Sequence, residues 1–337
     1  TPVKLTDGFP SGGIWNVLAS PSFGAYYGPL DRGTPYAQKY SATIEWSPLK
    51  NTAVSAGYVG QTTFNFPTLA SGNQAQVPAA TPVISRQPYP NVGFFWMYLT
   101  AADSNYNAMS ISVKQRYTHG FSLQSSFTWS KALGYDTGTD QTLTNRWDLN
   151  YDYGPVDYDI RQRWLTSFIY QEPKFSSLPA IARWTLGDWS FSGILTLQSG
   201  SPFTVTASGA VTNTGSGGGT GNRPDVVGNA TLSSGERTVN RWFNTSAFKL
   251  PASYTWGNAG KNILYGPGLT NLDFALQKSF VVFRENHRVT FRMEATNLTN
   301  HVNPGNPAAN LSGANFGVIT GLKSGPRQMQ AALRYDF

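Results

Sequence analysis

The sequence predicts an all-β protein: an antiparallel, up-and-down barrel of the transmembrane type, with ten to twelve strands and long loops. Three observations carry that prediction. Segments of roughly ten residues alternate apolar and polar side chains, as strands wetted differently on their two faces do, and ten residues suit a tilted bilayer crossing. Aromatics make up 14% of the 337 residues and charged groups only 13%, against roughly 25% charged in an average soluble domain. Mean hydropathy is still −0.30, because Ser, Thr, Asn, Gln and Gly fill the difference.

The elements follow in order. YAQKYSATIEWS, residues 36–47, puts Tyr36, Tyr40, Ala42, Ile44 and Trp46 on one face and Lys39, Ser41, Thr43 and Glu45 on the other. After a short SPLKN turn, TAVSAGYVGQTTF (52–64) returns with Val54, Ala56 and Tyr58 on one side, which makes a hairpin. YNAMSISVKQRY (106–117) and FSLQSSFTWSK (121–131), joined by THG, form a second, with Met109, Ile111, Val113, Phe121, Leu123, Phe127 and Trp129 apolar. DIRQRWLTSFIY (159–170) and WSFSGILTLQSG (189–200) add two strands. NLDFALQKSF (271–280), HRVTFRMEATNL (287–298), FGVITGL (316–322) and RQMQAALRYDF (327–337) complete the set. Trp46, Tyr58, Tyr117, Trp129, Trp164, Tyr170, Trp189 and Tyr335 mark strand ends, as aromatic girdles do at the two interfaces of a membrane barrel.

Long segments rich in Gly, Asn, Pro and Ser separate the strands at 65–91, 132–158 and 201–268. Loops of that length are ordinary outside a barrel wall and unusual inside a compact soluble domain. The expected organisation is a single barrel domain, or a portion of one, across residues 1–337, with no plug domain. No segment reads as an amphipathic helix of useful length. The longest apolar run, VGFFWMYL at 92–99, is far short of a membrane helix, so any bilayer crossing is made by strands. TPVKLTDGFP is not a cleavable leader, so a signal peptide is absent, removed or part of a longer precursor.

Net charge is +7, yet Lys and Arg never form a run of three. They sit instead at alternating positions such as Arg161 and Arg163, which favours basic side chains along a water-filled lumen over a nucleic-acid surface. Candidate lumen groups are Arg161, Arg163, Arg288, Arg292, Glu294 and Arg334. The absence of cysteine excludes disulfides and thiolate metal sites. GSGGGTGN (215–222) lacks the Lys-Ser/Thr and the following helix of a phosphate cradle, and is read as a flexible loop. His119, His287 and His301 lie at strand ends or turns without metal-ligand spacing. No catalytic constellation emerges, and the protein is not expected to be an enzyme.

Two weaker features remain. In DLNYDYGPVDYD, the residues Asp148, Asn150, Asp152 and Asp159 occupy positions 1, 3, 5 and 12 of a calcium loop, although the glycine falls one place late and no helices flank it. The loop aromatics Trp147, Tyr151, Tyr153, Trp242 and Trp256 are candidates for stacking a sugar or another ring-containing ligand.

Several stretches resemble the C-terminal half of the barrel of TonB-dependent outer-membrane receptors, specifically the Oar-type group with an N-terminal carboxypeptidase-regulatory-like domain. They are TPYAQKYSATIEWSP with AGYVGQ, SNYNAMSISVKQRYTHGFSLQSSFTWSKAL, DYGPVDYDIRQRW, WSFSGILTLQSGSPFTV, NRPDVVG, RWFNTSAF, GNAGKNILYGPGLTNLDFALQKSF, VTFRMEATNLTNHVN and PRQMQAALRYDF. The resemblance implies that Tyr335 and Phe337 belong to the terminal signal read by the barrel-assembly machinery, with Phe337 at the periplasmic rim. It also implies that TNLTNH is a periplasmic turn. Counting strands back from Phe337 would then put 201–268 on the periplasmic side, unless SPFTVTA hides another strand.

The expected function is therefore the wall and ligand-selecting loops of such a receptor, partnered by outer-membrane lipid and by a missing N-terminal plug and barrel half. Two other readings stand beside it. One is a smaller barrel fragment that self-assembles with copies of itself into a filamentous or tubular extracellular structure. The other is a soluble extracellular carbohydrate-binding β-protein.

Overall fold

The computed structural model describes residues 25–28, 33–90, 95–135, 142–177, 179–207, 213–215, 221–282 and 287–337. Nine long strands follow one another as an antiparallel meander: β1 (Tyr36–Leu49), β2 (Thr52–Ser71), β3 (Phe95–Thr118), β4 (Phe121–Gly134), β5 (Gln162–Gln171), β6 (Ser190–Gln198), β7 (Leu269–Val281), β8 (Arg288–Thr296) and β9 (Gln328–Asp336). Each pairs with its neighbours in sequence. The sheet is open: β1 and β9 have no strand on their outer sides among the described residues, so the predicted closure into a barrel is not reached by these nine strands alone.

Opposed residues in an antiparallel ladder share a face. Here the alternation survives every crossing from strand to strand. Trp129 faces Met109, Met109 faces Tyr58 and Tyr58 faces Ala42. At the other side Met329 faces Ala295, Ala295 faces Phe274, and Phe274 faces Gly193. One face of the sheet is thus mainly apolar, and Ile44, Trp46, Ile111, Trp129, Trp164 and Leu333 all stand exposed on it. The opposite face carries mostly Ser, Thr, Gln and charged groups, with Leu165, Ile169 and Ile194 among them.

The two ends of the meander differ. At the end where β9 runs out to Phe337, β1 meets β2 across residues 50–51, and β3 meets β4 across 119–120. The second of these is the predicted THG turn. His119 and Gly120 both have positive φ, 49° and 82°, the geometry a two-residue hairpin requires. At the opposite end lie the connections 72–94, 135–161, 199–268 and 297–327. There 199–268 and 297–327 fold together around a buried cluster of Phe203, Val205, Ala230, Phe243, Ala247, Phe248, Ala259 and Leu264. We call this structure the cap.

Several expectations change. FGVITGL is not a strand: Phe316 packs edge-on against Phe243 in the cap core at 5.1 Å, Gly317 turns with φ of 85°, and Ile319 donates its N–H to the Val239 carbonyl. Burial of Phe316 outweighs the β-propensity of the run. With that strand removed the strand count closes, and 199–268 lies at the end opposite Phe337. TNLTNH leaves β8 at that same opposite end, so it is not a turn on the Phe337 rim. SPFTVTA contributes only Pro202–Phe203, paired with Leu264–Tyr265. The strands over 52–64 and 106–117 extend to Ser71 and back to Phe95, into segments read as loop. The glycine-rich loop at 215–222 falls largely outside the described residues.

Candidate functional site: the cap and the polar trough

The connection 135–161 is tied to the cap by one arginine. Arg223 has 0% of its surface exposed. Its Nη1 donates to Asp152 Oδ1 at 3.1 Å, its Nε to the Ala259 carbonyl at 2.9 Å, and its guanidinium lies 3.6 Å from the Tyr151 ring centre. A buried guanidinium is tolerated only with such saturation, because stripping its water costs several kcal/mol. Asp152 also accepts the Thr144 N–H at 2.6 Å, which fixes the loop before it. Burial raises the pKa of the Tyr151 hydroxyl, and the nearby Arg223 partly offsets the rise.

A second tie joins the wall to the cap. Asp159, buried, accepts the Ala132 N–H from β4 and the Tyr265 hydroxyl, both at 2.8 Å. Burial and that bond to a carboxylate push the Tyr265 pKa up to about 12. Asn262 makes a third tie: its amide reaches the Pro155 carbonyl at 2.7 Å and Asp157 at 2.6 Å, and its Oδ1 accepts from Thr204 at 2.8 Å.

The four predicted calcium-loop residues do different jobs in this network. Asp148 accepts the Asn150 N–H at 3.2 Å, Asp152 pairs with Arg223, and Asp159 holds Tyr265. Among the described residues no group of three or more His, Cys, Asp or Glu is placed to hold a metal.

The predicted stacking aromatics are brought together only in part. Tyr151 meets Trp256 edge-on at 5.1 Å, and Tyr153 meets Tyr135 at 5.3 Å. Trp147 donates its indole N–H to the Ala75 carbonyl at 3.1 Å with the Arg146 guanidinium 4.3 Å from its ring. Trp242 anchors the cap by donating to the Tyr265 carbonyl at 2.8 Å. Trp147, Tyr153 and Tyr158 keep rings exposed at the surface.

Of the predicted lumen groups, Arg163, Arg288, Arg292, Glu294 and Arg334 share the polar face by register. Glu294 pairs with Arg292 and accepts from Gln330 at 2.6 Å, and Arg292 reaches Gln277 at 3.1 Å, so three strands are laced side to side. Arg334 pairs with Asp336 at 2.7 Å. Arg161 is not in a strand: it precedes β5, 3.9 Å from Asp159. The polar face also forms a trough of about 630 Å³ lined by Lys114, Gln124, Ser167, Asp273 and Glu294 together with apolar groups such as Ile169, Ile194 and Ala275. Tyr335 stacks on His287 and on Phe337, at 5.9 and 5.8 Å, at the rim.

Sequence reasoning missed Arg223, Asn262, Tyr265 and Lys278. Lys278 alone carried a legible signal, as a cation on the apolar parity of NLDFALQKSF. This site can hold loops rigid and present polar and aromatic groups to water.

Residues 1–330 match the family described as outer membrane beta barrel domain. No curated protein matches the chain. Among solved structures, the chain is similar to the outer membrane transporter YddB from Escherichia coli, at 12% identity and a TM-score of 0.45, covering 94% of this chain and 34% of that one. It is also similar to the FrpB iron transporter from Neisseria meningitidis, at 11% identity and a TM-score of 0.44 over 93% of this chain and 33% of that one. BauA, the ferric preacinetobactin receptor from Acinetobacter baumannii, gives 14% identity and a TM-score of 0.44 over 90% and 29%. The chain therefore spans about a third of the length of these structures.

Proposed function

The chain belongs to the outer membrane beta barrel domain family of the bacterial outer membrane, and from that premise we propose that it forms the wall and the ligand-selecting end of a TonB-dependent receptor, corresponding to the C-terminal part of an Oar-type barrel. The observation that carries this reading is the division of the molecule's ends. Four long connections gather opposite Phe337, and two of them fold into a cap with its own core, whereas the Phe337 rim has two-residue turns at 50–51 and 119–120 and a single long connection among the described residues, 172–189. Outer-membrane barrels keep short turns on the periplasmic side and long loops outside. The cap is then extracellular, the apolar face meets lipid, and the trough faces the lumen. The role is selection and passage, with no catalytic step.

Orientation is the part that an experiment reaches directly. The sequence has no cysteine, so Ser234→Cys in the cap and Ser177→Cys at the opposite end each give a unique thiol. In intact cells a membrane-impermeant maleimide should label the cap position, and should label position 177 only after the outer membrane is permeabilised. The reverse pattern would overturn the reading.

A self-assembling structural subunit is favoured by one observation, the outer sides of β1 and β9, which have no strand beside them among the described residues and whose backbone groups invite another strand. Native mass in detergent separates the two readings. A discrete particle supports the receptor wall, and regular multimers of this chain support the subunit.

A further inference from the structure

The apolar face has one conspicuous interruption. Lys278 of β7 falls between Leu276 and Phe280 on the parity that faces lipid, directly opposite Phe291. A lysine there is costly, most of all at mid-bilayer and less toward the rim. It is nevertheless only 4% exposed, because the connection 172–189 folds back over the outside of the sheet and covers it. That connection contains a short helix, α1 (Ala180–Leu186). Lys278 Nζ donates to the carbonyls of Thr185 at 3.1 Å and Gly187 at 2.5 Å, at the helix C-terminus where a cation is favoured. It also lies 5.2 Å from the Trp189 ring and 5.1 Å from that of Phe280.

The side on which α1 sits is fixed by its ring contacts. Trp184 packs on Phe280 at 4.8 Å, and Trp189 lies edge-on to Phe291 at 6.3 Å, both partners on the apolar face. Phe280 is the penultimate residue of β7, so the helix lies at the Phe337 rim. What α1 turns outward is apolar: Ile181, Trp184 and Leu186 are exposed, Ile181 at 81%. Lys174 and Arg183, also exposed, flank them.

We propose that the 172–189 connection is a membrane-interface foot, seated in the phospholipid headgroup layer at the Phe337 rim. The inference rests on the apolar wall lying in lipid. Its patch is continuous with that wall, and its tryptophan and aliphatic groups suit the depth where headgroups meet chains. Lys174 and Arg183 are its exposed charges, while Glu172 and Asp188 of the same connection are half-buried, which leaves the cations to meet anionic phospholipid. Lys278 is the tether: it clamps the helix end to the wall, and the helix end in turn keeps the ammonium out of hydrocarbon.

The test uses the full chain reconstituted in vesicles of phosphatidylethanolamine and phosphatidylglycerol. An environment-sensitive fluorophore is placed in turn at Ile181→Cys, at Leu333→Cys on the wall and at Ser234→Cys in the cap. Lipids brominated near the headgroup or near the chain end report depth. For burial of roughly 5–10 Å, the label at 181 should be quenched about twofold more by shallow than by deep bromines. The label at 234 should respond to neither. Quenching at 333 with none at 181 would overturn the foot while sparing the wall, and is the result expected if the patch binds a protein instead. No quenching at 333 would overturn the lipid-facing wall and the foot with it.

Discussion

The wall and the cap are two parts of one chain stabilised by opposite arrangements. In the wall, apolar side chains point outward, and Leu333 is 75% exposed within the chain itself. In the cap, Phe243, Val205 and Ala247 are buried like the core of a soluble domain, and the charges Arg223 and Asp152 are buried with them. The wall depends on its hydrogen-bonded ladder and on a solvent that accepts hydrocarbon. The cap depends on burial and on polar groups that saturate each other. The same residue type thus has opposite meanings in the two regions: a phenylalanine facing outward is correct in the wall and a defect in the cap.

The largest expected effect breaks the cap alone. Arg223→Ala leaves Asp152 buried without its partner and should cost the cap about 3–5 kcal/mol. Limited proteolysis should cut residues 221–268 in the variant while the wall still resists; equal resistance in both would deny that this pair ties the loops. Leu333→Arg strikes the wall, with about 2–4 kcal/mol lost near mid-bilayer. The loss should appear when folding is followed in lipid vesicles, with cap proteolysis unchanged. If insertion is unaffected, the faces have been assigned backwards.

A smaller effect titrates the join between the regions. Tyr265 has its pKa raised from 10.0 to about 12 by burial and by its bond to Asp159. Because the folded state favours the protonated phenol, the contribution is complete below pH 10 and is lost as pH rises through about 12. Thermal unfolding of the cap, read by tryptophan fluorescence, should therefore fall across that window in the native chain. It should fall less in Tyr265→Phe, and parallel curves would refute the assignment. Smallest of all, Arg334→Gln removes an exposed pair with Asp336 and should change stability by no more than about 1 kcal/mol. A larger loss on urea titration in vesicles would mean that the polar face is shielded from water.

Legibility in the sequence follows the same division. The wall was readable because each strand repeats one rule with period two, and every one of the nine strands begins or ends within a few residues of the alternation seen in the sequence. Its extensions at 65–71 and 95–105 were missed because Pro67, Ser71 and the polar run Asp103–Ser104–Asn105 interrupt the pattern. The cap was not readable. Its core joins Phe203, Phe243 and Phe316 from two Gly- and Asn-rich connections on either side of β7 and β8, with no period in them to betray the contact. The strand expected at FGVITGL is instead an apolar run whose burial serves that core and has nothing to do with a sheet. Arg223 sat unremarked in NRPDVVG because a single basic residue in a loop looks like a solvated one until its partners are in view.

The length of the second hairpin partner carries a further consequence. β3 has 24 residues and runs about 80 Å at ~3.3 Å per residue. An apolar band in such a wall is only about 25 Å tall. β4 follows β3 only from Ser104 onward, yet β2 stays paired with it back to Trp96. The pair stands above β1 and β4 like a parapet, edged by Ala25–Tyr27, which runs parallel to Phe95–Met97. With the cap outside, as proposed, a bulky visitor arriving from solution, whether a folded protein or a particle, would strike that ledge and the loops braced against it well before reaching the lipid surface.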